Sequence, residues 1–191
     1  MLDRLQSSRA PRRLLAGRAP VLDCLVGDQS IQATRSLTFQ LSSAVLQELG
    51  LVAALQQLVE WFNAESNDTH FVFASGDHEK NLGEDKSLML YDMARELLFN
   101  AAKYAHAHTV SVTVATVIDR LQITIDDNGV GFDTRCLDDG PSAEGGFGYF
   151  SIRERLAALG GDLGVESSVG RGTHVTVAIP LDRSGLAVAG A

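Results

Sequence analysis

The stretch Asp126–Leu156, DDNGVGFDTRCLDDGPSAEGGFGYFSIRERL, leads from the end of a strand pattern through two glycine clusters into a helix pattern. Upstream of it Leu121, Ile123 and Ile125 alternate with polar residues, which predicts a strand that delivers Asp126 and Asp127 to its end. Asn128-Gly129 favours positive φ and turns the chain there, and Gly131 leaves the adjoining wall without a side chain. Further on, Gly145, Gly146 and Gly148 bare backbone N–H groups where a helix begins, a receptor for phosphate oxygens. The layout predicts a nucleotide site whose two glycine turns hold opposite ends of one ligand.

Competing readings of the same glycines fail on spacing. No Gly-Lys-Ser/Thr follows, so this is not a Walker loop, and Gly146-Phe147-Gly148 lacks the third glycine of a dinucleotide fingerprint. A calcium loop needs oxygen donors at alternate positions and a closing glutamate; Val130 follows Asn128 and no glutamate stands at the twelfth place. The bland alternative is a pair of ordinary turns in an acidic loop.

Working outward, Gln29–Leu41 suits a loose helix that Ser42-Ser43 interrupts, and Gly50 reads as a C-cap before an amphipathic helix over Leu51–Asn63. Trp61 is expected to pack in the core. His70–Ala74 is a short strand, Asp77–Glu84 a charged connection, and Lys86–Ala107 the longest helical pattern. On that helix Glu96 and Asn100 are four apart, with Lys103 one turn later, so an acid, an amide and a base share a face. Thr109–Val117 and Arg120–Asp126 form a hairpin about Ile118-Asp119. Tyr149–Leu159 is a helix with Phe150, Ile152, Leu156 and Leu159 inward and Arg153, Glu154 and Arg155 outward, and Asp162–Ser168 and Thr173–Pro180 are two further strands. The sum is an α+β fold: a two-layer α/β sandwich with a mixed, mostly antiparallel sheet covered by helices on one face.

The 191 residues, 45% of them apolar, suffice for one core with an appendage. The net charge is −8, yet Met1–Arg18 carries five arginines against Asp3, which leaves −12 on the remainder. Such an acidic body argues against nucleic acid, and a phosphate-rich ligand in it calls for a divalent cation. Cys24 and Cys136 form no metal or disulfide pattern, so a reducing cytoplasm is the expected setting. No run is apolar and long enough for a direct membrane span, and no secretion signal is read at the N-terminus.

Glu96-Leu-Leu-Phe-Asn100-Ala-Ala-Lys103-Tyr104-Ala resembles the N-box of the GHKL ATPases, the superfamily of gyrase, Hsp90, MutL and the histidine kinases. Asp127-Asn-Gly129-Val-Gly131 resembles its first glycine box, Gly146-Phe-Gly148 its second, and Gly170-Arg-Gly172-Thr173 its final glycine-threonine turn. Within the superfamily, Phe147–Leu156 and Leu159-Gly-Gly-Asp-Leu are most similar to sensor histidine kinases of the nitrate-sensor type. The resemblance implies the Bergerat-type ATP-binding fold over residues 44–181 and a remnant of a dimerisation helix over 28–43; residues 1–27, without a stable period, are expected to form a poorly ordered arm, and the small residues of 182–191 a tail. It implies ATP and Mg²⁺ as ligands. Asn100 would hold the metal, Glu96 would order water or polarise, and Lys103 and Tyr104 would approach phosphate and ribose. Asp127 would accept from the adenine amino group, with Gly129 and Gly131 letting the base approach, Thr173 in the water network behind it, and Gly146 and Gly148 holding lid and phosphates.

The implied partners are a histidine-bearing dimerisation domain and a response regulator. The expected activity is transfer of the ATP γ-phosphate to a histidine supplied by a separate helix or chain, because none of His70, His78, His106, His108 and His174 is placed as an acceptor. His106-x-His108 lacks a third metal ligand nearby, and His70 and His174 are expected to pack within strands. The alternative is an ATP-binding regulatory module, like an anti-sigma-factor kinase or an inactive kinase partner. A gyrase-type or Hsp90-type ATPase is disfavoured because no transducer domain is read in the sequence.

Overall fold

A single residue breaks the first helix. α1 runs Gln32–Glu65, and within it Gly50 takes φ 80°, ψ −176°, a conformation open only to glycine, so two helical segments meet there at an angle. This agrees with the expected cap at Gly50. Ser42-Ser43 does not interrupt the helix as expected, because serine costs only a few tenths of a kcal/mol in a helix. The structure, a computed structural model, describes residues 32–76, 82–137 and 147–181. The arm 1–27, part of the charged connection, the loop holding Gly145 and Gly146, and the tail 182–191 lie outside the described residues.

Beyond Gly50, α1 buries Leu51, Ala54, Leu55, Leu58, Val59 and Phe62 on one stripe, each of the larger side chains worth roughly 1.5–3 kcal/mol of apolar burial. Trp61 packs edge-on to Phe62, with ring centroids 5.0 Å apart, as expected of a core residue. Asn63 then reaches the edge of the sheet, donating from Nδ2 to the Phe71 carbonyl at 2.6 Å and accepting from the Phe71 N–H at 2.7 Å. Both backbone groups of that edge position are thereby satisfied.

The sheet comprises β1 (His70–Ser75), β2 (Thr109–Val117), β3 (Arg120–Asp127), β4 (Asp162–Ser167) and β5 (Thr173–Pro180), in the order β1-β2-β3-β5-β4. β1 and β2 are parallel because α2 (Glu84–Tyr104) connects them, and every other pairing is antiparallel. α2 starts earlier and stops earlier than the propensity pattern suggests: Ala105 caps it, and His106, at φ 48°, turns the chain toward β2.

Alternate residues of the sheet, among them Phe71, Val110, Val112, Val114, Ile123, Ile125, Val175 and Val177, are buried on the face covered by the helices. The other face carries Thr, Ser and Gln. α3 (Phe147–Ala158) closes the helical layer with Tyr149, Ile152 and Leu156 buried. Phe150, expected inward, is 40% exposed, because Ile152 and Leu156 set a stripe that Tyr149 joins at i−3 and Phe150 does not.

Gly50→Ala is expected to cost about 1–3 kcal/mol of stability, since an L side chain is strained there. The urea unfolding midpoint of this variant against that of the parent checks it.

Candidate functional site

Strand alternation separates the two adjacent aspartates. At the end of β3, Asp126 points to the open face, where its carboxylate hydrogen-bonds His174 Nδ1, and His174 Nε2 lies 3.2 Å from Thr176 Oγ1. His174 is therefore engaged in a polar pair and not packed in the core as expected. Asp127, one residue on, points to the helix side and enters a cleft.

The turn that follows is clamped to the end of α2. Asn128 Oδ1 accepts from the N–H groups of His108 and Thr109, both at 2.9 Å, and the Val130 N–H donates to the Ala105 carbonyl at 2.7 Å. A Cβ on Gly129 would stand 2.0 Å from that same carbonyl oxygen, so the missing side chain makes room for the helix end. On the other side Gly131, at φ +58°, leaves room for the Ser168 carbonyl, and a Cβ on Gly172 would lie 2.0 Å from the Asp127 carbonyl. The Phe132 N–H donates to Ser167 Oγ at 2.9 Å, and Ser167 Oγ lies 3.1 Å from Thr173 Oγ1. β3, α2 and the β4–β5 turn thus meet with backbone against backbone.

Between them lies a cleft, open to solvent at one side. Leu97, Asn100, Ala101 and Tyr104 of α2 form one wall, and Ile125, Asp127, Thr173 and Val175 form its sheet floor. Gly131, Phe132 and Tyr149 complete it, the two aromatic rings 5.9 Å apart. Asp127 accepts from the Gly129 N–H at 2.9 Å and hydrogen-bonds the side chain and backbone of Thr173. Burial pushes its carboxyl above the usual aspartate range, these hydrogen bonds hold it back in part, and the neighbouring charge of Asp126 adds to the rise. Thr173 is almost fully buried.

At the far end of the same α2 face, one amide atom of Asn100, Nδ2, is buried without a partner. Rotation about χ2 exchanges it for the carbonyl oxygen, so this position can serve as a donor or as a metal ligand. α3 begins against it: a Cβ on Gly148 would lie 3.2 Å from Glu96 Oε1 and 3.6 Å from Asn100 Nδ2. Of the residues singled out in the sequence, Asn100, Tyr104, Asp127, Gly131 and Thr173 line one cavity, while Glu96 and Gly148 meet at its end. Gly129 stands behind the wall, against Ala105. Lys103 is exposed, its ammonium over the Tyr104 ring and 5.2 Å from the centroid, and it does not itself line the cavity. Gly146 lies outside the described residues.

Sequence reasoning missed Ser167 and the Phe132–Tyr149 pair, whose parts come together only through the β4–β5 turn and α3, and it expected positive φ at Asn128-Gly129, which neither residue adopts: the positive φ falls at Gly131, while Asn128 serves through its side-chain oxygen. It also placed Arg155 outward, whereas Arg155 Nη2 lies 3.2 Å from Glu96 Oε2. The signal was present in the spacing, since Arg155 follows the buried Ile152 by three positions on α3.

The profile of the family described as histidine kinase-, DNA gyrase B-, and HSP90-like ATPase matches residues 85–183, and the chain belongs to this family. Among curated relatives, an uncharacterized sensor-like histidine kinase of Chloroflexus aurantiacus is 31% identical over 150 residues, which are 78% of this chain and 25% of that protein. Sensor histidine kinase ComP of Bacillus subtilis is 32% identical over 79% of this chain and 19% of its own length. Oxygen sensor histidine kinase NreB of Staphylococcus carnosus is 28% identical over 79% of this chain and 42% of its own. The chain therefore spans less than half the length of these relatives.

Two solved structures share the fold. The histidine kinase domain of the blue-light activated kinase from Erythrobacter litoralis EL346 superposes with TM-score 0.63 at 22% identity, covering 78% of this chain and 74% of that one. Histidine kinase AdeS of Acinetobacter baumannii gives TM-score 0.56 at 14% identity, over 81% of this chain and 80% of its own. Among the described residues, no helix is long and apolar enough to cross a membrane.

Because the Asp127 carboxyl is raised in the folded chain, it adds stability below its unfolded value near pH 4, and that contribution is lost as pH rises through the folded value. Asp127→Asn is expected to remove this component and give a flatter stability profile from about pH 4 upward than the parent chain shows. Urea midpoints measured across that range, without nucleotide, check the difference in slope.

Proposed function

We propose that the chain is the ATP-binding catalytic domain of a cytoplasmic two-component sensor histidine kinase. It moves the γ-phosphoryl group of ATP to a histidine on a separate helix or chain, from which a response regulator receives it. The observation that carries this reading is the pairing of Asp127 at one end of the cleft with the unpartnered amide of Asn100 on the facing helix. A carboxylate whose N–H donors already fix its orientation offers an acceptor to the exocyclic amino group of adenine. Guanine presents a carbonyl at that position and is rejected by two facing acceptors. Gly131 and Thr173 flank that contact, and Tyr104 lies along the wall toward the sugar.

With the base at Asp127, the phosphate tail runs toward Glu96, Asn100 and the first turn of α3. The buried amide of Asn100, beside the bare backbone of Gly148, fits a metal–phosphate group, and no bulky side chain stands between them. Mg²⁺, when bound, neutralises and aligns the phosphate oxygens. Glu96 orients the reacting end from the side of α3. The chain's contribution to phosphoryl transfer is therefore placement and charge compensation, which this chemistry chiefly requires.

The regulatory-module reading is favoured by one observation: His70, His106, His108 and His174 stand in strands or the α2–β2 connection, outside helices. Incubation with labelled ATP and a separately made histidine-bearing dimerisation helix decides the matter. Label on the helix supports the kinase; ATP binding without transfer supports the module.

In calorimetry, MgATP should bind and GTP should bind at least about tenfold more weakly, the size of one buried unmatched polar contact. Asp127→Asn should abolish most ATP binding, and Asn100→Asp should keep part of the binding while losing transfer. Equal heats for ATP and GTP would remove the adenine assignment.

A further inference from the structure

Glu96 presents a problem of charge. Its carboxylate sits where the proposed polyphosphate ends, and Lys103, the base expected nearby, is turned over Tyr104 outside the cavity lining. The cation that does reach this acid comes from α3. Arg155 Nη2 lies 3.2 Å from Glu96 Oε2, and Arg155 Nε donates to the Ser151 carbonyl at 3.2 Å, so the guanidinium is held at both ends. Glu96 Oε1, its other oxygen, faces the backbone at Gly148.

We propose that Arg155 is a positioning residue: it anchors one oxygen of Glu96, leaves the other directed at the reacting end, and offsets the acid's charge beside the polyphosphate. This rests on the reading that ATP lies in the cleft with its phosphates toward Glu96 and Asn100. The pair is a third exposed at each partner, and ion pairs so placed stabilise a fold little. Its effect therefore belongs to the charged ligand more than to folding. Without Arg155, Glu96 is an uncompensated anion facing another anion; without both, that repulsion is gone.

The test is calorimetric titration of the whole chain with MgATP and with adenosine, for the parent, Arg155→Gln, Glu96→Gln, the double variant and Arg155→Lys. Arg155→Gln is expected to weaken MgATP about five-fold and adenosine by less than about two-fold, the scale of a partly exposed charge pair. Adding Glu96→Gln to it should restore MgATP to within about two-fold of the parent, and Arg155→Lys should fall between. Additive losses without that rescue, or an equal loss of adenosine, would overturn the proposal and mark Arg155 as mere packing for α3. Melting curves identify a variant that fails to fold, in which case Arg155→Lys, which keeps the charge and the stem, carries the comparison through its MgATP-to-adenosine ratio. A parent chain that binds no MgATP overturns the cleft reading itself, and the proposal with it; a parent that binds, with no rescue in the double variant, overturns the role of Arg155 alone.

Discussion

The site depends on one backbone contact: the end of α2 pressed against the turn after β3. The Val130 N–H meets the Ala105 carbonyl at 2.7 Å, and Gly129 permits the approach by having no side chain. Two more hydrogen bonds, from the N–H groups of His108 and Thr109 to Asn128 Oδ1, fix the start of β2 to the same turn. Asp127 lies just before this turn and Asn100 just over one helical turn before Ala105, so the clamp sets the span of the cleft. Backbone groups cannot shift in the way a long side chain can. A rigid span is what a site that must grip both ends of one ligand requires.

The same region shows how a strand of alternating direction can give two neighbouring acids unlike tasks. Asp126 is satisfied by His174 on the solvent-facing side, and Asp127 is half-buried with its donors chosen by the fold. Burial opposes the ionisation of Asp127, while its hydrogen bonds from Gly129 and Thr173 favour it.

Much of this is legible in the sequence. Alternating apolar residues in β2, β3 and β5 fixed their extent to within a residue, because one buried face imposes period two on every strand. The acid–amide spacing on α2 and the glycines after β3 pointed to the cleft. What the chain could not show locally was contact between distant segments. Arg155 lies 59 positions from Glu96, and Ser167 meets Phe132 from 35 positions away, so no periodicity links them. Phe150 and Tyr149 illustrate a second limit, since two adjacent aromatics fit a helical stripe almost equally and only the neighbouring elements decide which turns inward. Gly129 is a third case: its glycine is required by the back of the wall, a cause invisible from the motif alone.

The break at Gly50 gives the molecule a lever. Since the helical axis does not continue through that residue, the segment before it cannot push on the domain as a stiff rod. Its described side chains meet the rest through Leu46, buried in the core, through Val45 packed against that core, and through the bond from Gln47 Nε2 to Glu84 Oε1, 2.7 Å long, at the first turn of α2. The leading segment is thus tied to the very helix that carries Glu96 and Asn100, at the end remote from the clamp.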